Sequence, residues 1–257
     1  MGPVLYCGDA HGKFRHIIEA AGQKKASAVV LLGDMEPDRP LHIELAPLIK
    51  RGVPVFWIPG NHDADSDELH ARVWGSQLAS QNIHGRVVTL PDGTRLAGLG
   101  GVFRDEVWYP DPMAARGGEA VFRNRAGHNK VLDQRSRWPQ SEQCKHWGTI
   151  YPDELEALAE LEADVLVTHE AGGYHPHGFE EIDKLARRLR VKVHVHGHQH
   201  DALYRTEDMT ERWARQGFRS YGVGLRGITA IAVDGEATVV VPGEIDAERG
   251  KSRKANP

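Results

Sequence analysis

Cysteine, aromatic side chains and long apolar runs are all scarce in this chain of 257 residues. We expect Cys7 and Cys144 to be free thiols, because Cys7 falls in an apolar strand and Cys144 in a polar segment. No apolar run approaches the roughly 18 residues that cross a bilayer, and the first strand begins too early to leave room for a secretory signal. The formal charge of −4 gives no general attraction to nucleic acid or membranes. These absences favour a cytoplasmic protein with no membrane contact, and they do not favour a nucleic-acid partner.

Short apolar runs alternate with helical patterns along most of the chain. Runs typical of buried strands are residues 4–7, 28–32, 53–58, 165–167 and 192–195. Apolar spacing predicts helices that begin near Phe14, Leu41, Pro152 and Phe179. Near the end, two apolar runs flank Asp234, Gly235 and Glu236 and predict a hairpin.

This pattern predicts an α/β fold, a four-layer α/β/β/α sandwich with two mixed β-sheets. A single domain over residues 1–243 accounts for the motif spread, because a chain of this length can bury one sizeable core. Apolar content falls sharply from Glu244 onward, so residues 244–257 are predicted to be a disordered tail.

A polar motif comes directly after each of five predicted strands. The motifs contain Asp9 and His11, Asp34, Asn61 and His62, His169, and the pair His196 and His198. Open α/β sheets bind ligands at the carboxyl ends of their strands, so these side chains are expected to meet in one crevice. A lone Gly-Asp or His is usually structural, but the ordered array points to a metal site.

The order of these motifs resembles the calcineurin-like metallophosphoesterase superfamily. That family's pattern is Asp-x-His, Gly-Asp, Gly-Asn-His-(Asp/Glu), His, and then Gly-His-x-His or His-Gly-His, and the likeness covers residues 4–240. The resemblance implies two ions bridged by Asp34: the first held by Asp9, His11 and His198, and the second by Asn61, His169 and His196. His62 matches the family's non-ligand histidine.

Carboxylate, imidazole and amide ligands suit two divalent metal ions, with manganese favoured and iron, zinc or nickel left open. Two ions about 3.5–4 Å apart can activate a shared hydroxide and clamp both the attacking and the leaving oxygen at phosphorus. His62 would then act as general acid toward the leaving alkoxide.

The first motifs also resemble the serine/threonine phosphoprotein phosphatases, with one departure. Those phosphatases continue as Gly-Asp-x-x-Asp-Arg-Gly, whereas here Asp38 and Arg39 come one place later and prolines 37 and 40 surround them. Asp63 stands where the phosphatases have Glu. The likeness implies catalytic roles for Asp38 and Asp63 beside His62, and a phosphate contact for Arg39.

Residues 103–149 form an insertion or lid that is too long for an ordinary connection. It is locally basic and contains interleaved aromatics, including Trp138, which either anchor the loop or contact substrate. Arg104, which follows the Gly100-Gly101 turn, is predicted to bind phosphate, or else to pair with Asp105 or Glu106. His175 is predicted on the substrate side of its loop.

These features together predict a metal-dependent phosphoric ester hydrolase acting on a phosphorylated substrate. A phosphomonoesterase, for a protein or a small molecule, is favoured. A phosphodiesterase or nuclease acting on cyclic nucleotides or nucleic acid is an alternative, because the metal site would be common to both. A non-catalytic metal-binding scaffold is a third interpretation, weakened because no expected ligand is missing.

Overall fold

The computed structural model describes residues 2–134, 143–202, 206–232 and 234–255. Residues 135–142 of the predicted insertion, including Trp138, lie outside the described residues. Within the described ranges, no helix is both long enough and apolar enough to cross a membrane.

In the part of the chain that the structure describes, ten strands form two five-stranded sheets. The strands are β1 (Val4–Cys7), β2 (Ala28–Leu31), β3 (Val55–Trp57), β4 (Arg86–Thr89), β5 (Arg95–Leu99), β6 (Val165–Thr168), β7 (Val193–His196), β8 (Arg219–Gly222), β9 (Ile228–Ile231) and β10 (Ala237–Val241). The first sheet has the order β10-β9-β1-β2-β3 and the second β4-β5-β6-β7-β8. Both sheets are mixed, since β9 and β10 are antiparallel in the first and β4 runs antiparallel to β5 in the second.

Helices connect and cover these sheets. They are α1 (Arg15–Lys24), α2 (Leu41–Glu44), α3 (Ala46–Lys50), α4 (Asp67–Trp74), α5 (Arg125–Gln134), α6 (Pro152–Leu158), α7 (Glu180–Arg188), α8 (Thr206–Gln216) and α9 (Glu244–Ala255). Leu45 separates α2 from α3, where the sequence predicts one continuous helix. The proline at the second position of α3 has no N–H to continue the hydrogen bonds of α2, which accounts for the break.

Three buried apolar clusters correspond to the three interfaces of a four-layer sandwich. Successive residues of β1 belong to two different clusters. Leu5 packs with the helices on the outer face of the first sheet, while Tyr6 packs against the second sheet. Leu166 of β6 joins a third cluster with α6 and α7. Because successive strand side chains point to opposite faces, each buried strand serves two interfaces. The predicted sandwich with two mixed sheets is therefore confirmed.

The last segment differs from its prediction. Residues from Glu244 form helix α9, whereas the low apolar content predicts a disordered tail. Polar contacts hold the first turns of α9 to the body: Asp246 accepts from the Ala202 amide, Arg249 pairs with Asp201, and Glu244 pairs with Arg226. The pattern of apolar residues in a sequence does not predict hydrogen bonds and ion pairs of this kind.

Candidate metal centre

Loops from both sheets bring the predicted ligand side chains together. Asp9, Asp34 and Asn61 follow β1, β2 and β3 of the first sheet, and His169 and His198 follow β6 and β7 of the second. The Asp9 carboxylate accepts from the His198 amide at 2.9 Å, which ties the two sheets together at the site. Asp9, Asp34 and His169 are all fully or almost fully buried.

Hydrogen-bond acceptors converge on His169. Its Nδ1 lies 2.7 Å from the carbonyl oxygen of Leu32, which can only accept, so Nδ1 carries a proton. In the neutral ring Nε2 then has a lone pair, yet it faces Asn61 Oδ1 at 3.1 Å and Asp34 Oδ2 at 3.4 Å. One ligand atom from each of Asp34, His169 and His198 lies within 4.8 Å of the others. Lone pairs facing one another in a buried pocket fit a divalent cation.

A second pair of imidazoles meets beside this group. His11 Nδ1 lies 2.5 Å from Glu36 Oε1, so its Nε2 is free to face His200 Nε2 at 3.2 Å. His200 Nε2 is also 3.9 Å from Asp9 Oδ2. A carboxylate behind a ligating histidine fixes the tautomer and aims the other nitrogen at the metal. Glu36 occupies that position for His11.

The electrostatics of the pocket favour positive charge. Burial raises the pKa of Asp9 to about 6, an effect that His169 opposes and Asp34 reinforces. For Asp34, burial is outweighed by the charge and hydrogen bond of His169, and its pKa falls well below its usual range. Burial would lower the pKa of His169, but the neighbouring Asp34 and Asp9 carboxylates raise it to about 10. Without another cation, the imidazolium of His169 would balance the carboxylates.

Backbone strain is concentrated in the same loops. Several non-glycine residues with positive φ belong to this site: His11 (39°), Asp34 (47°), Glu36 (41°), His198 (67°) and His200 (59°). Such conformations cost on the order of 1–3 kcal/mol each and cluster at functional sites. Close approach adds a further constraint, since a Cβ on Gly60 would lie 2.1 Å from Asp34 Oδ1. The glycine before Asn61 is therefore required for the two ligand loops to meet.

His62 lies at the exposed side of this group, with its ring centroid 6.1 Å from that of His11. Its Nδ1 is 2.6 Å from Asp65 Oδ2. Burial would lower its pKa, but the bond to Asp65 and the charge of Asp34 raise it. The carboxylate that orients His62 is therefore Asp65, which the sequence analysis missed. Its spacing three residues after His62, inside the turn that leads to α4, is the signal that could have found it.

The predicted catalytic roles of Asp63 and Asp38 need correction. Asp63 is fully buried and accepts from the backbone amides of Gly60, Met35 and Glu36, so it ties two ligand loops together. Asp38 lies on an exposed part of the loop after β2. The extra residue before Asp38, together with Pro37 and Pro40, distinguishes this loop from the phosphatase pattern.

The structure also separates His196 from the other predicted ligands. His196 is the last residue of β7, where its Nε2 lies 2.5 Å from the Tyr174 hydroxyl and its ring stacks with that of His194. Val193 and Val195 point between the sheets, so His194 and His196 point to the opposite face. His198 and His200, on the loop beyond, reach the site instead. The Gly-His-x-His form of the family motif, Gly197 to His200, was the signal for His200.

The three predicted substrate contacts fall in different places. Arg39 is exposed and forms a two-pronged pair with Glu44. His175 is buried, with Nε2 at 3.5 Å from Asp201 Oδ1, and does not face the ligand group. Arg104 lies beside the site: its Nη2 is 3.5 Å from the carbonyl oxygen of Asn61 and its Nε donates to Thr149 Oγ1 at 3.1 Å.

Side chains of the insertion pair with one another and also contact the body. Lys145 pairs with Glu106 inside the insertion. Arg125 pairs with Glu154 of α6, and Phe103 packs against Phe179, which are both contacts with the body. This agrees with an anchoring role for these residues. The Arg104 guanidinium, by contrast, reaches the ligand-bearing loop of Asn61.

Comparisons with known proteins agree with the fold and with the family that the motifs resemble. The family model for calcineurin-like phosphoesterases matches residues 2–202. An uncharacterized protein of Haemophilus influenzae is 35% identical over 218 residues, which span 84% of this chain and 92% of that protein. The chain belongs to the calcineurin-like phosphoesterase family, whose members hydrolyse phosphoesters with divalent metals.

Two solved structures share the fold. The crystal structure of TT1561 of Thermus thermophilus aligns with a TM-score of 0.55 at 15% identity, covering 93% of this chain and all of that chain. A second solved structure aligns with a TM-score of 0.53 at 11% identity, covering 93% of this chain and 98% of the other. At these identities the likeness concerns the fold alone.

Proposed function

We propose that this protein is a phosphomonoesterase that uses two divalent metal ions, with manganese favoured. Asp9, His11 and His200 would hold the first ion, and Asn61, His169 and His198 the second, with Asp34 between them. The observation that carries this proposal is the convergence of lone pairs on buried His169 and between the partly buried rings of His11 and His200. When bound, the ions would lower the pKa of a water molecule and offset charge on the phosphoryl oxygens.

His62 supplies the proton that the leaving alkoxide needs. Asp65 accepts the Nδ1 proton of His62, so Nε2 is the nitrogen that donates. The ring is about half exposed and stands at the rim of the ligand group, where a leaving group can depart into solvent.

Arg104 binds a phosphoryl oxygen beside Asn61. A guanidinium offers two parallel donors to phosphate, and Arg104 is already fixed by Thr149 and the Asn61 carbonyl. A monoester has three non-bridging oxygens, so one remains for Arg104 if each ion binds another. A diester has only two, and this difference favours the monoester.

A side-by-side assay of a mono-aryl and a bis-aryl phosphate with added manganese tests the proposal. We expect faster hydrolysis of the monoester, loss of activity with a chelator, and recovery with manganese. Faster hydrolysis of the bis-aryl ester would replace the monoesterase with a phosphodiesterase. Bound metal without turnover of either ester would instead favour a scaffold.

A further inference from the structure

We propose that Trp147 is a stacking platform for the base of a nucleoside monophosphate, an inference that rests on the proposed phosphomonoesterase function. Trp147 is 46% exposed in a chain that has few aromatic residues, and it precedes the stretch that covers the Asn61 loop. Trp147 lies two residues before Thr149, which accepts from Arg104, the arginine proposed to bind phosphate, and an aromatic ring near such an arginine suits a nucleotide.

The Trp147 ring is held in place before any substrate arrives. The His70 ring lies 5.1 Å from it, the Trp74 ring 5.8 Å, and the Arg125 guanidinium 5.9 Å from its centroid. His70 in turn stacks on Trp74 at 4.9 Å with an interplanar angle of 12°. A ring supported in this way loses little conformational freedom on stacking, and its exposed surface remains available.

The backbone next to Trp147 lies against the metal-centre loops. A Cβ on Gly148 would be 2.3 Å from the Gly60 carbonyl oxygen and 3.5 Å from the Asn61 Cα, so the two segments are in direct contact. Thr149 accepts from Arg104, whose guanidinium reaches the Asn61 carbonyl. The phosphate contact and the aromatic platform are therefore brought to the site by one short stretch of chain.

One short stretch of chain connects His62 to an element that supports the platform. The segment that carries His62 and Asp65 continues directly into α4, and His70 of α4 contacts the Trp147 ring. The proton donor and a support of the stacking platform are therefore fewer than ten residues apart in the chain.

The separation favours a nucleoside over a bare aryl group. Gly148 contacts the Asn61 loop, and the Cα of Trp147 is about 3.8 Å from that of Gly148, while the indole packs on His70 and Trp74 of α4. An aryl phosphate places its ring directly on the bridging oxygen, close to the ions. A ribose between phosphate and base provides the additional reach.

Hydrolysis of adenosine 5′-monophosphate and of ribose 5-phosphate, each with manganese, tests the inference. The two substrates have the same phosphate and sugar and differ in the base. Stacking is typically worth a factor of roughly 5 to 150 in affinity, so Trp147→Leu should lower kcat/KM for the nucleotide by that factor. Trp147→Leu should hydrolyse ribose 5-phosphate with the same kcat/KM as the parent protein. Trp147→Phe should retain most of the parent's preference for the nucleotide over ribose 5-phosphate.

Adenosine provides a readout without a scissile phosphate. It should inhibit ribose 5-phosphate hydrolysis competitively, and this inhibition should weaken in Trp147→Leu but persist in Trp147→Phe. Met113→Ala is the matched control, since Met113 is 91% exposed in the same insertion. Thermal unfolding of each variant shows whether it is folded. Leucine is chosen at position 147 because its apolar side chain can keep contacts with His70 and Trp74.

Equal loss for both substrates in folded Trp147→Leu would overturn the inference and make Trp147 a structural anchor. No loss for either would overturn it as well. Failure of the parent protein to release phosphate from ribose 5-phosphate or an aryl phosphate would instead count against the proposed function.

Discussion

Asp34 contacts both the loop of His62 and the ring of His169. One carboxylate oxygen accepts from the His62 amide at 2.8 Å and the other faces His169 at 3.4 Å. Asp34→Asn removes the negative charge while keeping the side chain's shape. We expect this variant to lose both ions and nearly all activity, as measured by metal content after gel filtration and by phosphate release. Retention of two ions at parent affinity would contradict a bridging role.

His62 and Asp65 act as a pair at the rim. His62→Asn should keep metal content unchanged and lower kcat by about 10²–10⁴-fold, most strongly for esters with poor leaving groups. Asp65→Asn should lower kcat by a smaller factor, because the ring remains but its Nδ1 loses the carboxylate partner.

The exposed Asp38 provides the matched control for this pair. Asp38→Asn should leave both kcat and metal content at parent values. Loss of metal from His62→Asn would make His62 a ligand, and a large effect of Asp38→Asn would restore the role that the phosphatase pattern implies.

At the residue scale, sequence motifs located the site but not every side chain in it. Asp9, His11, Asp34, Asn61, His169 and His198 all lie where the strand ends predict. The choice between His196 and His200 depends on the residue at which β7 ends and on which face each side chain points, and the motif alone fixes neither. Asp65 was missed because its partnership with His62 is a turn contact.

Among the elements, the insertion is joined to α6 by a partly buried ion pair. Arg125 and Glu154 are 24% and 22% exposed, whereas the neighbouring pair Arg123 and Glu156 is 64% and 54% exposed. Arg125 also donates to the carbonyls of His146 and Thr149 and lies over the Tyr151 ring.

Alanine at these two arginines should therefore have unequal effects. Arg125→Ala leaves a partly buried carboxylate short of a partner and should lower the free energy of unfolding by about 2–3 kcal/mol. Arg123→Ala should cost at most about 1 kcal/mol. Urea unfolding of both variants measures the difference. Equal costs would mean that the insertion is anchored by its apolar contacts alone.

The Glu154 carboxylate should make the free energy of unfolding depend on pH. Burial would raise the pKa of Glu154, but His84 and Arg125 lower it to about 2. A group whose folded-state pKa is depressed stabilises the protein fully above its unfolded pKa, near 4.5, and this stabilisation is lost as pH falls toward 2. The difference in stability between the parent and Glu154→Gln should therefore be constant near neutrality and shrink between about pH 4.5 and 2. An unchanged difference at low pH would contradict the assignment.

Element prediction followed the periodicity of apolar residues and failed where polar contacts decide. Strands β1, β2 and β7 and helices α1 and α7 carry strong apolar patterns and were predicted. Strand β4 has no buried residue and depends on its antiparallel partner β5, so its own sequence is a weak signal. Helix α9 likewise depends on ion pairs with the loops near Asp201 and Arg226.

At the scale of the whole molecule, the candidate metal centre lies where the two sheets meet. Asp9, Asp34 and Asn61 follow strands of the first sheet, and His169, His198 and His200 follow strands of the second. Between the sheets lies an apolar layer, while at this edge the contacts are polar and include the Asp9 carboxylate and the His198 amide. Cations bound here would join the sheets and favour the folded state, because the unfolded chain cannot present these ligands together.

Manganese should therefore raise the stability of the entire molecule. For an ion at about 1,000 times its Kd, the expected gain is about 4 kcal/mol, and each kcal/mol raises Tm by roughly 2–4 °C in a chain of this size. Thermal unfolding with chelator and then with increasing manganese measures the shift, and the transition should remain single because both sheets share the site. Asp34→Asn is the control: its Tm should respond little to manganese, since the carboxylate between the ion positions is gone. A rise in Tm that is equal in Asp34→Asn and in the parent would show that manganese stabilises the protein from another site, and the ions would then have no role in holding the sheets together.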